Sequence, residues 1–292
     1  MMSLSVKASL GLNQQQLANI RQLETACNQF ENLRMKLNWN TLHDRPVNKI
    51  NDFFCYNDDQ VIGYLALFAF NNKEVEISGM VHPWYRQQGA FRQLLKSALV
   101  EIQTRRIPNL LFICERASES GQATLSNIGA AYSFSEYKMA LNHQASWPTF
   151  DLLGVQLHPA QPEHINFLAE LDSTCFNISF EQTKAWLVKR MLDANRTIWL
   201  AKVAGEYVGK IQISLGSEIS IHAFCVVPEK RGQGVGKAIL QQIVTELKLN
   251  HPTKQVVLEV ESANEKALQL YKHFGFEIST TYDYYQLATE NL

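Results

Sequence analysis

The sequence predicts an α/β protein in which a mixed, mostly antiparallel sheet is flanked by helices, and it predicts this arrangement twice. Three observations lead to this. Short β-prone runs alternate with amphipathic stretches, the same order of runs returns after residue 150, and 292 residues are enough for two ordinary domains. The segment 143–150 contains Pro148 and has no hydrophobic period, so we expect one domain at 1–145 and another at 146–292.

The first half is predicted as a helix, a three-stranded antiparallel meander, and then alternating helices and strands. Apolar residues at helical spacing define the helices, and Asn- and Asp-containing turns separate the β-prone runs. In chain order the expected elements cover residues 13–38, 52–56, 61–70, 75–81, a helix that ends near 104, 110–115, 119–127 and 131–141.

The second half repeats this order, with a strand, two helices and a meander, followed by a helix, a strand, a second helix and a closing strand. The expected elements cover residues 152–157, 162–171, 180–192, 197–203, 208–215, 219–227, a helix from 235, 256–260, a helix that contains Asn264 and Tyr271, and 276–287. A repeat of this length indicates two copies of a whole domain.

Composition excludes several classes of protein. Lys and Arg number 27 against 28 Asp and Glu, a net charge of −1, which argues against a nucleic-acid-binding module. The longest apolar run, 61–70, is too short to span a bilayer, and the first residues have no signal-peptide core. We therefore expect a soluble cytoplasmic protein, monomer or homodimer, with no nucleic-acid or membrane partner.

The five cysteines are odd in number and scattered, mostly in apolar surroundings. This pattern predicts reduced core thiols, with neither a disulfide framework nor a metal site. They are Cys27, Cys55, Cys114, Cys175 and Cys225.

A phosphate-binding turn is predicted at 226–240, which reads VVPEKRGQGVGKAIL. An apolar strand leads through Pro228 into a glycine-spaced segment and then a helix that begins near Val235. Backbone N–H groups in the first turn of a helix have no internal partner and attract phosphate oxygens. Gly234 and Gly236 carry no Cβ that would hold a diphosphate away, and Arg231 and Lys237 add positive charge.

Two common nucleotide motifs do not fit this turn. A P-loop requires Ser or Thr after its lysine, and Ala238 follows Lys237 here. A dinucleotide-binding fingerprint requires G-x-G-x-x-G, and the spacing of Gly232, Gly234 and Lys237 breaks it.

The turn does resemble the acyl-CoA-binding motif of the GNAT acetyltransferases, [QR]-x-x-G-x-[GA], through Arg231, Gly234 and Gly236. A second stretch, 258–276, resembles the other signature of that family, a strand followed by a helix with Asn near its start and Tyr in its last turns. Asn264 and Tyr271 lie seven residues apart, on one helical face, and Ser262 with Glu265 forms a capping-box pattern.

The resemblance implies an N-acetyltransferase that moves an acetyl group from acetyl-CoA to a primary amine. It implies that Tyr271 protonates the departing thiolate and that Asn264 hydrogen-bonds the pantetheine arm. Tyr271 could instead pack in the core, and Asn264 could simply cap its helix. The implied cofactor-binding residues are Phe224, Val226, Val227, Arg231, Gly232, Gln233, Gly234, Val235, Gly236, Lys237 and Asn264.

The base that deprotonates the amine has two candidates. Glu259, on the strand before the Asn264 helix, is placed like the base of the N-terminal-amine acetyltransferases of the family, and in a partly dry cleft its pKa would rise. It could equally be a solvated carboxylate. His222 is the rival; the family glutamate on its strand aligns with Ile221, which leaves His222 on the opposite face and more typical of a packed core residue.

The two copies are chemically unequal. Arg86 and Gly89 match Arg231 and Gly234 at a spacing of 145 residues, but Phe91 stands where the second copy has Gly236. At the spacing that pairs Gly129 with Gly275, Ser118 and Leu125 replace Asn264 and Tyr271. Leucine cannot donate a proton, so we expect a structural or regulatory first copy and catalysis in the second.

The sequence leaves the acceptor open among small-molecule amines, peptide N-termini and protein lysines. An alternative function is a non-catalytic acyl-CoA-binding sensor or scaffold.

Overall fold

The computed structural model describes residues 4–176 and 178–292. Its strands are β1 (Leu4–Leu10), β2 (Ile50–Asn57), β3 (Gln60–Phe68), β4 (Glu74–Val81), β5 (Asn109–Glu115), β6 (Ala131–Leu141), β7 (Gln156–Pro159), β8 (Arg196–Val203), β9 (Glu206–Leu215), β10 (Ile219–Val226), β11 (Val256–Glu261) and β12 (Phe276–Ala288). Its helices are α1 (Gln14–Glu31), α2 (Trp39–His43), α3 (Ala90–Thr104), α4 (Glu119–Asn127), α5 (Ile165–Phe176), α6 (Phe180–Met191), α7 (Val235–Asn250) and α8 (Glu265–His273). The predicted α/β class is confirmed.

Two details near the start of the chain differ from the prediction. The sequence analysis missed β1, whose residues are mostly exposed or half-buried and so show no hydrophobic pattern. The helix expected over 13–38 ends at Glu31, because Asn32 adopts a left-handed conformation at φ 53° and its N–H bonds back to the Asn28 carbonyl.

Contacts divide the chain into two compact units, and the division differs from the expected domains. The first unit comprises residues up to Glu136 together with Thr280–Leu292, and the second is Tyr137–Ser279. The end of the chain, expected in the second domain, therefore belongs with the first unit.

The first unit is a sheet in the order β1, β2, β3, β4, β5 and the last part of β12. All of these pairings are antiparallel except that between β4 and β5. The β12 segment Tyr282–Ala288 lies beside β5. Helix α3 buries its apolar stripe on one face of the sheet, and α1 contributes to a separate core with residues of β2, β3 and β4.

The second unit repeats this plan with β7, β8, β9, β10 and β11, and only β10 and β11 among them pair in parallel. Helix α7 packs its buried stripe, which includes Ile239, Ile243 and Leu247, into the main core, while α5 and α6 pack against β8. Among the described residues of the chain, no helix combines the length and apolar character that crossing a bilayer requires.

Candidate active site

A fork between two parallel strands organises the second unit. β10 and β11 pair only from Ile219 to Ile221, opposite Val256 to Leu258, although both strands run on beyond these residues. From Ala223 to Val227 the chain is half-buried. Beyond the fork, the edge of β10 can therefore offer backbone donors and acceptors to an extended ligand, as an added strand would use them.

A bulge in β10 lies at the fork. The register with β9 shifts between His222 and Cys225, and Ala223 is in the left-handed region at φ 42°. Gly209 of β9 accommodates the bulge, since a Cβ there would lie 2.5 Å from the Cys225 carbonyl oxygen. The Val227 N–H donates to the Val208 carbonyl at 2.9 Å, which holds the end of the strand in place.

The predicted phosphate turn contains two glycines in the left-handed region just before α7. Gly232 and Gly234 have φ of +75° and +86°, and Gly234 is the N-cap of α7 with no side chain to cap the helix. The first intrahelical hydrogen bond of α7 runs from the Ala238 N–H to the Gly234 carbonyl, at 3.1 Å. The N–H groups of Val235, Gly236 and Lys237 precede this bond in the chain, where a helix offers them no internal acceptor. A Cβ on Gly236 would be in ordinary van der Waals contact with the side chains of Leu270, Phe224 and Val226, at 3.7–3.8 Å.

Two polar side chains of this turn, Arg231 and Gln233, form hydrogen bonds within the protein, whereas Lys237 is exposed. The Arg231 Nε donates to the Val226 carbonyl at 2.9 Å and its Nη2 donates to Cys175 Sγ at 3.2 Å, so the guanidinium fastens the turn to β10. Gln233 similarly donates to the Glu229 carbonyl at 2.8 Å. Lys237 is exposed, with its ammonium 5.0 Å from the centre of the Phe150 ring. We therefore assign Arg231 to holding the shape of the turn.

Tyr271 lies beside the bulged strand. It is 8% exposed, and its ring centre is 6.5 Å from that of Phe224 and 6.0 Å from that of Phe276. Burial, with a smaller contribution from Cys225, raises the pKa of Tyr271 to about 12. Within the described chain its hydroxyl has no hydrogen-bond partner. Tyr271 thus combines the core packing considered above with a protonated hydroxyl that can still donate.

Asn264 caps its helix. It is the N-cap of α8, and its side-chain oxygen accepts from the Ala267 N–H at 3.2 Å. The capping box expected from Ser262 and Glu265 does not form, because the helix starts at Glu265, two residues later than that pattern requires. The Asn264 side chain is exposed, so its amide could contact a ligand while its oxygen still accepts the capping hydrogen bond.

Neither candidate base lies in the environment expected for it. Glu259 is exposed between the buried Leu258 and Val260 and does not lie in a partly dry cleft. His222 is also exposed, opposite Gln212 in the sheet, and so is not a packed core residue. Ile221 is buried in the core.

The first unit contains a turn of nearly the same backbone shape. Arg86 Nε donates to the Val81 carbonyl at 3.1 Å, as Arg231 does to Val226. Gly89 has φ +85° and caps α3, and Gln87 takes the left-handed conformation (φ +60°) that Gly232 has in the second unit. The loop geometry is therefore maintained even where the glycine has been replaced.

A cavity of about 830 Å³ lies at the fork of β4 and β5 in the first unit. Phe91, which stands where the second unit has Gly236, is among the residues that line this cavity. Arg86 forms a 2.7 Å ion pair with Glu31. Burial acts to raise the pKa of Glu31, but hydrogen bonds from Ser120 and Arg86 outweigh it and lower the pKa. The apolar lining includes Ile77, Met80, Leu95, Phe112 and Leu125.

Glu31 and the position of Cys175 were not predictable from sequence motifs. Glu31 ends α1 and Cys175 lies in the last turn of α5, and neither belongs to a motif. Each contacts the arginine of its turn, Arg86 or Arg231, only because folding brings distant segments together.

Comparisons with known proteins extend over both units. The acetyltransferase (GNAT) family matches residues 17–123 and 165–276. A mycothiol acetyltransferase of Acidimicrobium ferrooxidans is 24% identical over 240 residues, 76% of this chain and 77% of that protein. The crystal structure of a GCN5-related N-acetyltransferase from Sphaerobacter thermophilus superposes with a TM-score of 0.80 at 18% identity, over 98% and 96% of the two chains. A tandem GNAT protein from the clavulanic acid biosynthesis pathway superposes with a TM-score of 0.76 at 16% identity, over 98% and 99%.

Proposed function

Because the chain belongs to the GNAT acetyltransferase family, we propose that it transfers an acetyl group from acetyl-CoA to a primary amine and that its second unit performs this reaction. One observation carries the proposal. In the second unit the uncapped glycine turn, the point where β10 and β11 diverge and a buried tyrosine are neighbours, because Phe224 of β10 lies beside Gly236 and its ring centre is 6.5 Å from that of Tyr271.

Different parts of this region would bind different parts of CoA. The N–H groups at the start of α7 would hold the diphosphate of CoA, and the backbone of 224–227 would pair with the pantetheine amides. Acetyl-CoA supplies a thioester that an amine can attack, with a thiolate as the leaving group. Binding energy from the remote nucleotide end would fix the reacting end beside the bulge of β10.

Tyr271 is proposed as the acid. Its raised pKa keeps the hydroxyl protonated at every pH at which an amine acetyltransferase would work, and the donor is not engaged elsewhere in the described chain. Leu125 takes the matching place in the first unit, and its side chain has no proton to donate. This difference supports catalysis in the second unit.

Glu259 is proposed as the base, acting from its exposed position through water, with His222 as the rival. The acceptor is proposed as a small-molecule or peptide amine. One relative is named a mycothiol acetyltransferase, so a panel of acceptors should include small-molecule amines beside peptide N-termini and lysines.

Acetyl transfer to this panel, measured for the intact chain and for Tyr271→Phe, tests the proposal. Loss of a positioned general acid lowers turnover by roughly 10²- to 10⁴-fold, and CoA binding should be unchanged because the ring remains. Tyr207→Phe is the matched control, since the Tyr207 hydroxyl already has a hydrogen-bond partner, His164 Nε2, at 2.8 Å. Equal turnover in wild type and Tyr271→Phe would remove the acid assignment, and CoA binding without transfer to any amine would favour the sensor or scaffold.

A further inference from the structure

Two cysteines of the second unit lie against each other. Cys175 is in the last turn of α5 and Cys225 is near the end of β10, and these two elements are in contact. Cys175 Sγ is also 3.8 Å from the Val226 carbonyl oxygen, which places it at the backbone next to Cys225. Both residues are half-buried, whereas Cys27, Cys55 and Cys114 are buried. An oxidant in solution can therefore reach this pair more easily than the others.

The surroundings of the two sulfur atoms differ. Arg231 Nη2 donates to Cys175 Sγ at 3.2 Å, so a cation lies beside this sulfur. Burial first, and then the neighbouring Cys175, raise the pKa of the Cys225 thiol. Cys175 is thus suited to react first and Cys225 to react second.

We propose that Cys175 and Cys225 form a reversible intramolecular disulfide when the protein meets a peroxide. The Cys175 thiolate attacks one peroxide oxygen, the O–O bond breaks, and a sulfenic acid and one water result. The Cys225 sulfur then attacks the sulfenic sulfur, the S–S bond forms, and the hydroxyl leaves as a second water. Two thiols are oxidised by two electrons and one peroxide is reduced; a dithiol reductant reverses the reaction.

Arg231 links this reaction to the glycine turn. The same guanidinium holds the turn through the Val226 carbonyl and contacts Cys175 Sγ. A disulfide sulfur carries no negative charge and accepts hydrogen bonds poorly, so oxidation removes one of the two contacts of Arg231. This consequence rests on the proposed binding of CoA at the turn, whereas disulfide formation itself does not.

Peptide mapping of the full chain tests the proposal. Reduced protein is treated with hydrogen peroxide, alkylated and digested, and we expect a linked peptide that joins 175 to 225 and disappears after dithiothreitol. Cys175→Ser should abolish the link, and Cys225→Ser should let Cys175 stop at a sulfenic acid that dimedone traps. Cys114→Ser, the matched control at a buried thiol, should leave the link in place.

Two results would overturn the inference. One is wild-type protein in which both cysteines stay open to alkylation after peroxide. The other is Cys175 oxidised beyond the sulfenic acid while Cys225 remains a free thiol. CoA titration of the oxidised protein should show affinity weaker by about tenfold, the size of a lost charge-assisted hydrogen bond. If oxidised and reduced protein bind CoA with equal affinity although the disulfide has formed, only the proposed effect of oxidation on the glycine turn is overturned. If neither form binds CoA, the result counts against the proposed function alone.

Discussion

The ring of Phe91 lies on Gly79, so closely that a Cβ built at Gly79 would be 2.8 Å from Phe91 Cε2. The second unit reverses the pair. At the positions that match in the repeat, the strand carries Phe224 and the helix carries Gly236, and Phe224 Cζ would be 3.8 Å from a Cβ at Gly236. One aromatic ring fills the space between the strand and the first turn of the helix in each unit, but it comes from opposite sides.

This exchange predicts that the two positions are coupled. Gly236→Phe alone should destabilise the second unit by about 1–3 kcal/mol, because its ring competes with Phe224 for one space. Phe224→Gly alone should cost about half of the ~3–5 kcal/mol that truncating a fully buried Phe costs, because Phe224 is half-buried. We expect the double variant to lose less free energy of unfolding than the two single variants lose together. The difference, measured by urea unfolding, should exceed about 1 kcal/mol. Simple additivity would mean that the two rings do not substitute for one another.

Gly234→Ala should weaken CoA binding. Gly234 has φ +86°, where a Cβ is strained by about 1–2 kcal/mol, and the new methyl would lie 3.1 Å from Leu153 Cδ1. The turn would shift its N–H groups, so we expect CoA affinity measured by calorimetry to fall at least about tenfold.

Gly89→Ala is the matched control for that variant. Gly89 has φ +85° and no atom within 4 Å of a Cβ, so the backbone strain is similar but lies in the first unit. Its stability should fall by a similar amount while the affinity of the strong CoA site is unchanged. An equal loss of affinity in both variants would place that site elsewhere than the turn at Gly234.

The pKa of Tyr271 predicts an alkaline loss of stability. Because burial raises this pKa from 10.0 to about 12, the protonated form is favoured in the folded state. The stabilisation is complete below pH 10 and is lost as pH rises through 12, since the unfolded tyrosine ionises first. Between pH 9 and pH 11 the free energy of unfolding should fall by about 1 kcal/mol more in wild type than in Tyr271→Phe. Tyr132→Phe, at a largely exposed tyrosine, should behave as wild type; a Tyr271→Phe curve parallel to wild type would contradict the burial effect.

The segment 280–292 should be required for the first unit to fold. Tyr282–Ala288 pairs with all of β5, and Asp283 accepts from Arg116 at 2.7 Å and from Ser135 at 2.6 Å. A fragment of residues 1–145 would expose the edge of β5 and leave these groups without their partner. We expect it to lack a cooperative thermal transition by circular dichroism.

Adding a peptide of residues 280–292 should restore that transition in the fragment. A peptide with the same composition in scrambled order is the control, because it cannot reproduce the register of β12 with β5. Cooperative unfolding of the fragment alone would show that β12 is dispensable.

Most of the second unit could be predicted because its signals are local. The strand, turn and helix around Gly234 follow from apolar runs and glycine spacing within a few residues, and α8 follows from one short amphipathic stretch. The role of Arg231 could not be predicted, because its partner Cys175 lies in another helix and a guanidinium can serve a phosphate or a carbonyl equally well. The exposure of Glu259 could not be predicted either, since the alternation of side chains along a strand does not say which face of the sheet is packed against other elements.

The amino-acid sequence by itself determined the α/β class, the repeated order of elements, the glycine turn and the inequality of Tyr271 and Leu125, because each depends on residues that are close in the chain. Only the tertiary structure decided that residues 280–292 complete the first unit, that Phe91 opens onto a cavity, and that Cys175 meets Cys225 and Arg231. Those features are contacts between distant segments, and a pattern with a period of two or four residues carries no information about which segments will meet.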